Sequence, residues 1–333
     1  MNDVITLAHG DGGLLYRELV EQVFLPAFAD PVLERMDDSA VCPAFGDRLA
    51  LTTDSFVVRP RFFPGGDIGR LAVSGTVNDL AVSGAQPLYL TCGMILEAGL
   101  SVEELRRICA SMAAAAREAG VRIVTGDTKV VEKGACDGIF INTAGVGLFR
   151  REPLPQRVRP GDAILVSGSV GDHGLAVLAA REKLSFEPQL TSDAAPLNGL
   201  IETLLQAVPE THALRDATRG GVAAVANEWA EACGVSIVLT EDAVPVDRRV
   251  RSACQLLGLD PLLAANEGKV VIAVPESCAD TALAALKTHP LGRDAAMIGR
   301  AETAERPAVS LLTAIGSRRL LTLPEGEQLP RIC

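Results

Sequence analysis

The chain has 333 residues, enough for two domains that each bury a substantial apolar core, and its 48% apolar and 22% charged residues describe a folded globular protein and not a disordered one. Its 31 Lys and Arg against 42 Asp and Glu leave a net charge of −11, which repels phosphate backbones and anionic membrane surfaces, so neither nucleic acid nor a membrane is an expected partner. Aromatic residues are scarce at 4%, so the core must be built from Ala, Val, Leu and Ile.

After a glycine-rich start, Leu14, Leu15, Leu19, Val23 and Phe24 recur at helical spacing, and "LALTTD" reads as a short strand that runs into acidic loop residues. Helical spacing returns over 67–84, through Ile68, Leu71, Ala72 and Leu80, and "PLYLTCGMIL" follows as a buried strand. In "SVEELRRICASMAAAAREAG", Ser101 and Glu104 have the spacing of a capping box, and Gly120 suits a helix stop because glycine enters the left-handed region cheaply. "VRIVTGD" and "IFINTAGVGLF" are the next strands. The segment "RREPLPQRVRPGD", rich in proline and arginine, is read as a surface crossing between domains. Beyond it a second alternation predicts strands at 163–167, 235–239 and 269–274 and near 295–299 and 308–312. Helices are predicted from about 172 and over 197–207, 219–233, 247–257 and 277–287. The closing "LPEGEQLPRIC" has no core face and reads as an extended arm; ten residues of it would reach roughly 33–36 Å.

The eight cysteines, at 42, 92, 109, 136, 233, 254, 278 and 333, form no C-x-x-C pair and do not cluster with the four histidines, which speaks against zinc fingers and redox dithiols. Scattered cysteines and an opening without a basic-then-apolar signal segment fit a reducing cytoplasm. The longest uncharged run, between Asp79 and Glu97, is interrupted by Ser83, Gly84, Gln86, Pro87 and Thr91 and is not a membrane span.

Neither G-x-x-x-x-G-K-[ST] nor G-x-G-x-x-G occurs, which disfavours a P-loop enzyme and a Rossmann dehydrogenase. What does occur is a series of acidic and glycine-rich stretches at strand ends: "HGDGG" at 9–13, "MDDSA" at 36–40, "TTDS" at 52–55, "VNDLAVSGA" at 77–85, "TGDTK" at 125–129, "RDATRGG" at 215–221 and "NEGK" at 266–269. Converging carboxylates call for a cation, and a magnesium-bound polyphosphate supplies one. Taken singly, Asp38, Asp54, Asp127 and Asp216 read better as turn or capping residues, His9, Gly12 and Gly13 as loop residues, and Lys129 and Glu267 as solvated charges. Asn78 and Asp79 are harder to dismiss, because a carboxylate placed among Val77, Leu80 and Ala81 needs a partner if buried.

In their joint order, these stretches and the terminal "PRIC" resemble the HypE family, the ATP-dependent carbamoyl dehydratases that mature NiFe hydrogenases, over essentially the whole chain. The internal motifs are shared more loosely with the PurM-like superfamily of aminoimidazole ribonucleotide synthetase, selenophosphate synthetase and thiamine-phosphate kinase; Pro330, Arg331, Ile332 and Cys333 specify the member. The resemblance implies a PurM-like two-domain fold of mixed α+β and α/β character: an N-terminal ATP-binding unit, 1–150, that forms a β-barrel across a homodimer, a C-terminal α/β unit, 160–320, and a tail, 321–333, that ends in the acceptor cysteine. It implies ATP and Mg2+ in a cleft between the units, held by His9, Gly10, Gly12, Gly13, Asp38, Asp54, Asn78, Asp79, Asp127, Thr128, Asp216 and Arg219, with Asp38, Asp54, Asp79 and Asp127 as the metal set. Cys333 is then the carrier of a carboxamide loaded by a HypF carbamoyltransferase, Glu267 the base, Lys129 its cationic helper, and a HypC–HypD complex the acceptor of the resulting cyanide. Two rival readings are a superfamily enzyme that phosphorylates a small molecule and a non-catalytic nucleotide-binding thiol carrier. Against selenium chemistry, the chain offers His9 and no nearby thiol in its glycine-rich start.

Overall fold

The structure, a computed structural model, describes residues 4–10, 14–32, 34 and 48–322. A 3-10 turn at Leu7–Gly10 leads into one helical run made of α1 (Leu14–Leu19), a wider turn at Val20–Phe24 and α2 (Leu25–Phe28), closed by Ala29 in the left-handed region at φ 45°. Its inward stripe, Leu19, Val23 and Phe24, is buried as the spacing predicts. The wide turn stands next to Pro26, which has no N–H to give to a regular ladder.

The first sheet comprises β1 (Leu49–Phe56), β4 (Gln86–Glu97), β5 (Arg122–Val131) and β6 (Ile139–Leu148) in the order β1-β6-β4-β5, parallel only between β4 and β5; a small hairpin, β2 (Phe62–Phe63) with β3 (Gly66–Asp67), stands apart. Two helices cover one face: α3 (Ile68–Val82), whose N-cap Asp67 accepts the Arg70 N–H at 2.9 Å, and α4 (Val102–Ala119). Strand alternation turns Leu90, Cys92, Met94 and Leu96 of β4 into this core, against Leu71 of α3 and Leu105, Ile108 and Met112 of α4. The opposite face carries Leu51 and Ile95, both exposed. The expected capping box is not formed: Ser101 is the N-cap residue but its side chain makes no capping bond, and Glu104 is drawn off to Arg61 at 2.8 Å. Gly120 does close α4, at φ 68°.

The crossing after β6 is mostly exposed, as expected of a surface segment, but it is anchored at three points. Leu154 and Val158 are buried, and Gln156, at φ 49°, donates to the Val82 carbonyl at 2.7 Å while its Oε1 accepts the Leu214 N–H at 3.2 Å. Its polar composition conceals this role, because the side-chain amide serves backbone groups of both units.

The second sheet runs in the order β13-β12-β9-β11-β7-β10-β8, built from β7 (Asp162–Val166), β8 (Ala213–Asp216), β9 (Val235–Thr240), β10 (Val270–Pro275), β11 (Ala296–Thr303), β12 (Val309–Leu312) and β13 (Arg318–Leu320), antiparallel except for β9 with β12. α7 (Gly221–Cys233) packs Val222, Val225, Ala226 and Trp229 onto Ile237, Leu239, Ile298 and Leu311. α6 (Asn198–Ala207) and α9 (Ala279–Thr288) pack Leu200, Leu204, Ala282 and Leu286 onto Leu165, Ile272 and Val274. α5 (Asp172–Glu182) and α8 (Arg248–Leu257) share a smaller cluster around Leu175, Val250 and Cys254. Ala81 and Val82, from the end of α3, belong to the core that α6 and α9 build, so the two units interlock there. β8 and β13 escape the sequence reading because one is four residues ending in Arg-Asp and the other is an exposed Arg-Arg-Leu. The described cysteines are all free thiols, and no described helix is long and apolar enough to cross a membrane.

Candidate functional site

A cleft of about 830 Å³ opens between β1 and α3 on one side and β8, α7 and Glu267 on the other. β1 presents Thr52 and Asp54 to it, while Phe56 of the same strand turns into the core. Glycine at 75 permits the close packing: a Cβ there would stand 2.9 Å from the Phe56 ring and 3.4 Å from Asp54 Oδ2. One helical turn on, Asp79 faces the same cleft and accepts from Thr52 Oγ1 at 2.9 Å, the partner that a half-buried carboxylate needs. β8 ends in Arg215 and Asp216, and Arg219 lies in the bend before α7.

The cleft's electrostatics follow from this crowding. Burial raises the Asp54 carboxyl above its usual range, with the Ser55 N–H and Arg219 opposing. Burial also raises Asp79, against the Thr52 hydroxyl and with help from the Asp54 charge. At Asp216, burial and then the charges of Asp79 and Asp54 push the carboxyl up to about 7. Glu267, 3% exposed, is held well above its ordinary value by burial and by the charges of Asp216, Asp193, Asp54 and Asp79. Glu267 therefore gives up its proton less readily than an exposed glutamate does. Among the described residues no three His, Cys, Asp or Glu side chains stand close enough to enclose a metal ion by themselves. The donors are nonetheless the hard oxygens that a divalent cation prefers, and their mutual repulsion is what such a cation, shared with phosphate oxygens, relieves.

The structure brings Asp54, Asp79, Asp216, Arg219 and Glu267 together at this cleft. Asn78, although next to Asp79, points elsewhere: it is 2% exposed, its Oδ1 accepts the Leu197 N–H at 2.7 Å, and its Nδ2 donates to the carbonyls of Ala195 at 3.2 Å and Glu267 at 3.5 Å. Its side chain ties α3 to the segments that carry Glu267. Asp127 and Lys129 pair with each other at 3.0 Å, both largely exposed, on β5, the edge of the sheet opposite β1; within one chain they do not join the cleft, and Thr128 between them is buried. His9 is fully buried, its Nδ1 accepts the Thr6 N–H at 3.1 Å, and its Nε2 has no hydrogen-bond partner among the described residues. Gly10 ends the same 3-10 turn. Gly12, Gly13, Asp38 and Cys333 lie outside the described residues.

Thr52, Arg215, Asp193 and Lys269 went unassigned in the sequence. Thr52, Arg215 and Lys269 sit inside quoted stretches, "TTDS", "RDATRGG" and "NEGK", and their nearness to the carboxylates carried the signal. Asp193 lies in "TSDAAP", where no spacing marks it.

Two family models cover most of the chain: AIR synthase related protein, N-terminal domain, over residues 36–149, and AIR synthase related protein, C-terminal domain, over 159–311. The carbamoyl dehydratase HypE of Escherichia coli (strain K12) is 53% identical over 336 residues, covering 99% of each chain. A crystal structure of hydrogenase maturation protein HypE in complex with ATP superposes with a TM-score of 0.95 at 49% identity, covering 98% of this chain and 99% of that one. A chain of a HypE–HypF complex superposes with a TM-score of 0.81 at 49% identity, covering 92% of this chain and 99% of that one.

Proposed function

Because the chain belongs to the HypE carbamoyl dehydratases of the AIR synthase related family, we propose that it uses ATP to dehydrate a carboxamide carried on its own Cys333 to a thiocyanate, the source of cyanide in NiFe-hydrogenase maturation. The observation that carries this reading is full-length identity to a named dehydratase, joined to a cleft between the two units in which carboxyl groups gather without forming a closed metal cage. The overall change is R–S–C(=O)–NH2 plus ATP to R–S–C≡N plus ADP and phosphate. The amide oxygen attacks the terminal phosphorus and ADP departs. The C–O bond then breaks with phosphate as the leaving group, and both N–H protons leave nitrogen as the triple bond forms, one to a protein base and the other to the departing phosphate. A bare amide oxygen is a poor leaving group, which is why the phosphoryl group must be placed on it first.

Glu267 is the proposed acceptor of a nitrogen proton. Its carboxyl is raised by burial and, after that, by negative neighbours, so offsetting the neighbours' charge makes it a more competent base. Magnesium bound with the nucleotide would supply that offset and balance the phosphate charge, with Asp54 and Asp79 as described donors and Asp38 as a further one. Arg219 and Asp216 border the same space, and His9, Gly10, Gly12 and Gly13 complete the proposed nucleotide set. Asp127 and Lys129 enter this reading through a homodimer, because they stand exposed on β5, on the helix-free face of the first sheet, with Thr128 buried between them as a backbone member of the same set. Exposed Leu51 and Ile95 on that face support pairing with a second sheet into a barrel. HypF as the loading partner is supported by the HypE–HypF complex; HypC–HypD as acceptor is part of the family reading, and a cytoplasmic location is proposed from the free, scattered thiols.

Intact-mass measurement of the chain after carbamoyl loading tests the proposal. A loss of one water that requires ATP supports dehydration. An adduct whose mass ATP leaves unchanged would instead fit a thiol carrier that binds nucleotide without catalysis.

A further inference from the structure

Glu267 does not hold its own place. Its N–H donates to Asp193 Oδ1 at 3.1 Å, and the N–H of Gly268 donates to Asp193 Oδ2 at 3.2 Å. Lys269 Nζ donates to the same carboxylate at 3.0 Å and stands 3.9 Å from Asp172. The Asp193 side chain is 4% exposed and that of Lys269 11%. Contact is so close that a Cβ on residue 268 would lie 1.9 Å from the Asp193 carbonyl oxygen, which explains the glycine. From the other side, the Glu267 carbonyl accepts from the Ala195 N–H at 3.2 Å and from Asn78 at 3.5 Å. Ser192 accepts the Ala194 N–H at 3.1 Å and meets His173 Nδ1 at 2.8 Å, so residues 192–197 form a strap locked between α3 and the bend at Glu267.

We propose that Asp193, neutralised by Lys269, is a positioning residue for the dehydration: its carboxylate grips the two consecutive N–H groups of the bend and so aims the Glu267 side chain at the reacting carboxamide. This inference rests on the reading of Glu267 as the base. Charge-assisted bonds to two adjacent amides, buried and fixed at both ends, are stiffer than neutral ones. Burial pushes the Asp193 carboxyl up, but Lys269 beside it and His173 outweigh that and hold it below the usual carboxylate range, so it stays ionised. Asparagine at this place would offer one acceptor and turn an N–H toward a donor.

The test is single-turnover conversion of the carbamoyl-loaded full-length chain, followed by intact mass over a series of ATP concentrations. Asp193→Asn should slow the rate at saturating ATP by about 10- to 100-fold, the scale of a small misplacement of a catalytic group, while the half-saturating ATP concentration stays within about twofold. In a Glu267→Gln background the same substitution should cost less than about twofold more, because Asp193 then has nothing to aim. If Asp193→Asn does not fold, Lys269→Arg, which keeps the cation but displaces it, should show the same split between rate and ATP dependence. An unaltered rate, or an equal loss with and without Glu267, overturns the positioning role. Glu267→Gln converting at the wild-type rate would instead sink the base reading itself.

Discussion

Asp216 offers the most direct test of the cleft's electrostatics. Its carboxyl is lifted from 3.8 to about 7 by burial and by Asp79 and Asp54, so the folded chain keeps a proton there that the unfolded chain has already lost. Between those two values the folded state binds more protons, and stability therefore falls as pH rises through the window. The lift from 3.8 to about 7 corresponds to about 4 kcal/mol in total, of which about 2.5 kcal/mol falls between about pH 5 and about pH 8. Water at the cleft mouth screens part of this, so about 1–2.5 kcal/mol is the expected range. Asp216→Asn removes the titrating group. Urea denaturation of both proteins without nucleotide should show the variant gaining on wild type by that amount as pH goes from about 5 to about 8. If the two midpoints keep a constant separation across the range, Asp216 is not titrating in this window and the account of the carboxyl cluster is wrong.

Other substitutions probe other parts of the site. Cys333→Ala should abolish both carbamoyl loading and thiocyanate formation while nucleotide affinity measured by calorimetry stays within about twofold, since an end-of-chain carrier adds no nucleotide contact. Asp79→Asn should weaken ATP binding by about tenfold or more in the presence of Mg2+ and much less in its absence; equal losses under both conditions would remove Asp79 from the proposed metal set. Asn78→Ala strands the Leu197 N–H and opens a buried space between the units, and a loss of about 2–3 kcal/mol in urea denaturation is expected. Gly75→Ala drives a methyl against the Phe56 ring and toward Asp54, and should cost about 1–3 kcal/mol of stability and weaken ATP binding in titration calorimetry.

Much of the site is visible in the primary structure because carboxylates and glycines recur at strand ends, and Asp54, Asp79, Asp216 and Glu267, far apart in sequence, do meet at one cleft. Long periodic elements were also legible: α4 and β4 run where their apolar spacing places them. Legibility failed where a residue answers to a distant backbone group. Glu104 was expected to cap its own helix, yet it meets Arg61. Gln156 lies on the surface, as its segment's composition implies, yet its side chain joins Val82 to Leu214. Asn78 was grouped with Asp79, although successive helical residues point about 100° apart and only one of them faces the cleft.

What the sequence by itself determined is the family, the order of the long periodic elements and the residue types available for chemistry, since these depend on local spacing and on motifs read along the chain. Tertiary structure alone decided which carboxyl groups share one cleft and shift each other's protons, and that Asp193 and Lys269 hold the bend at Glu267. The reason is physical: desolvation and charge–charge coupling depend on distances through space, and no spacing along the chain encodes them.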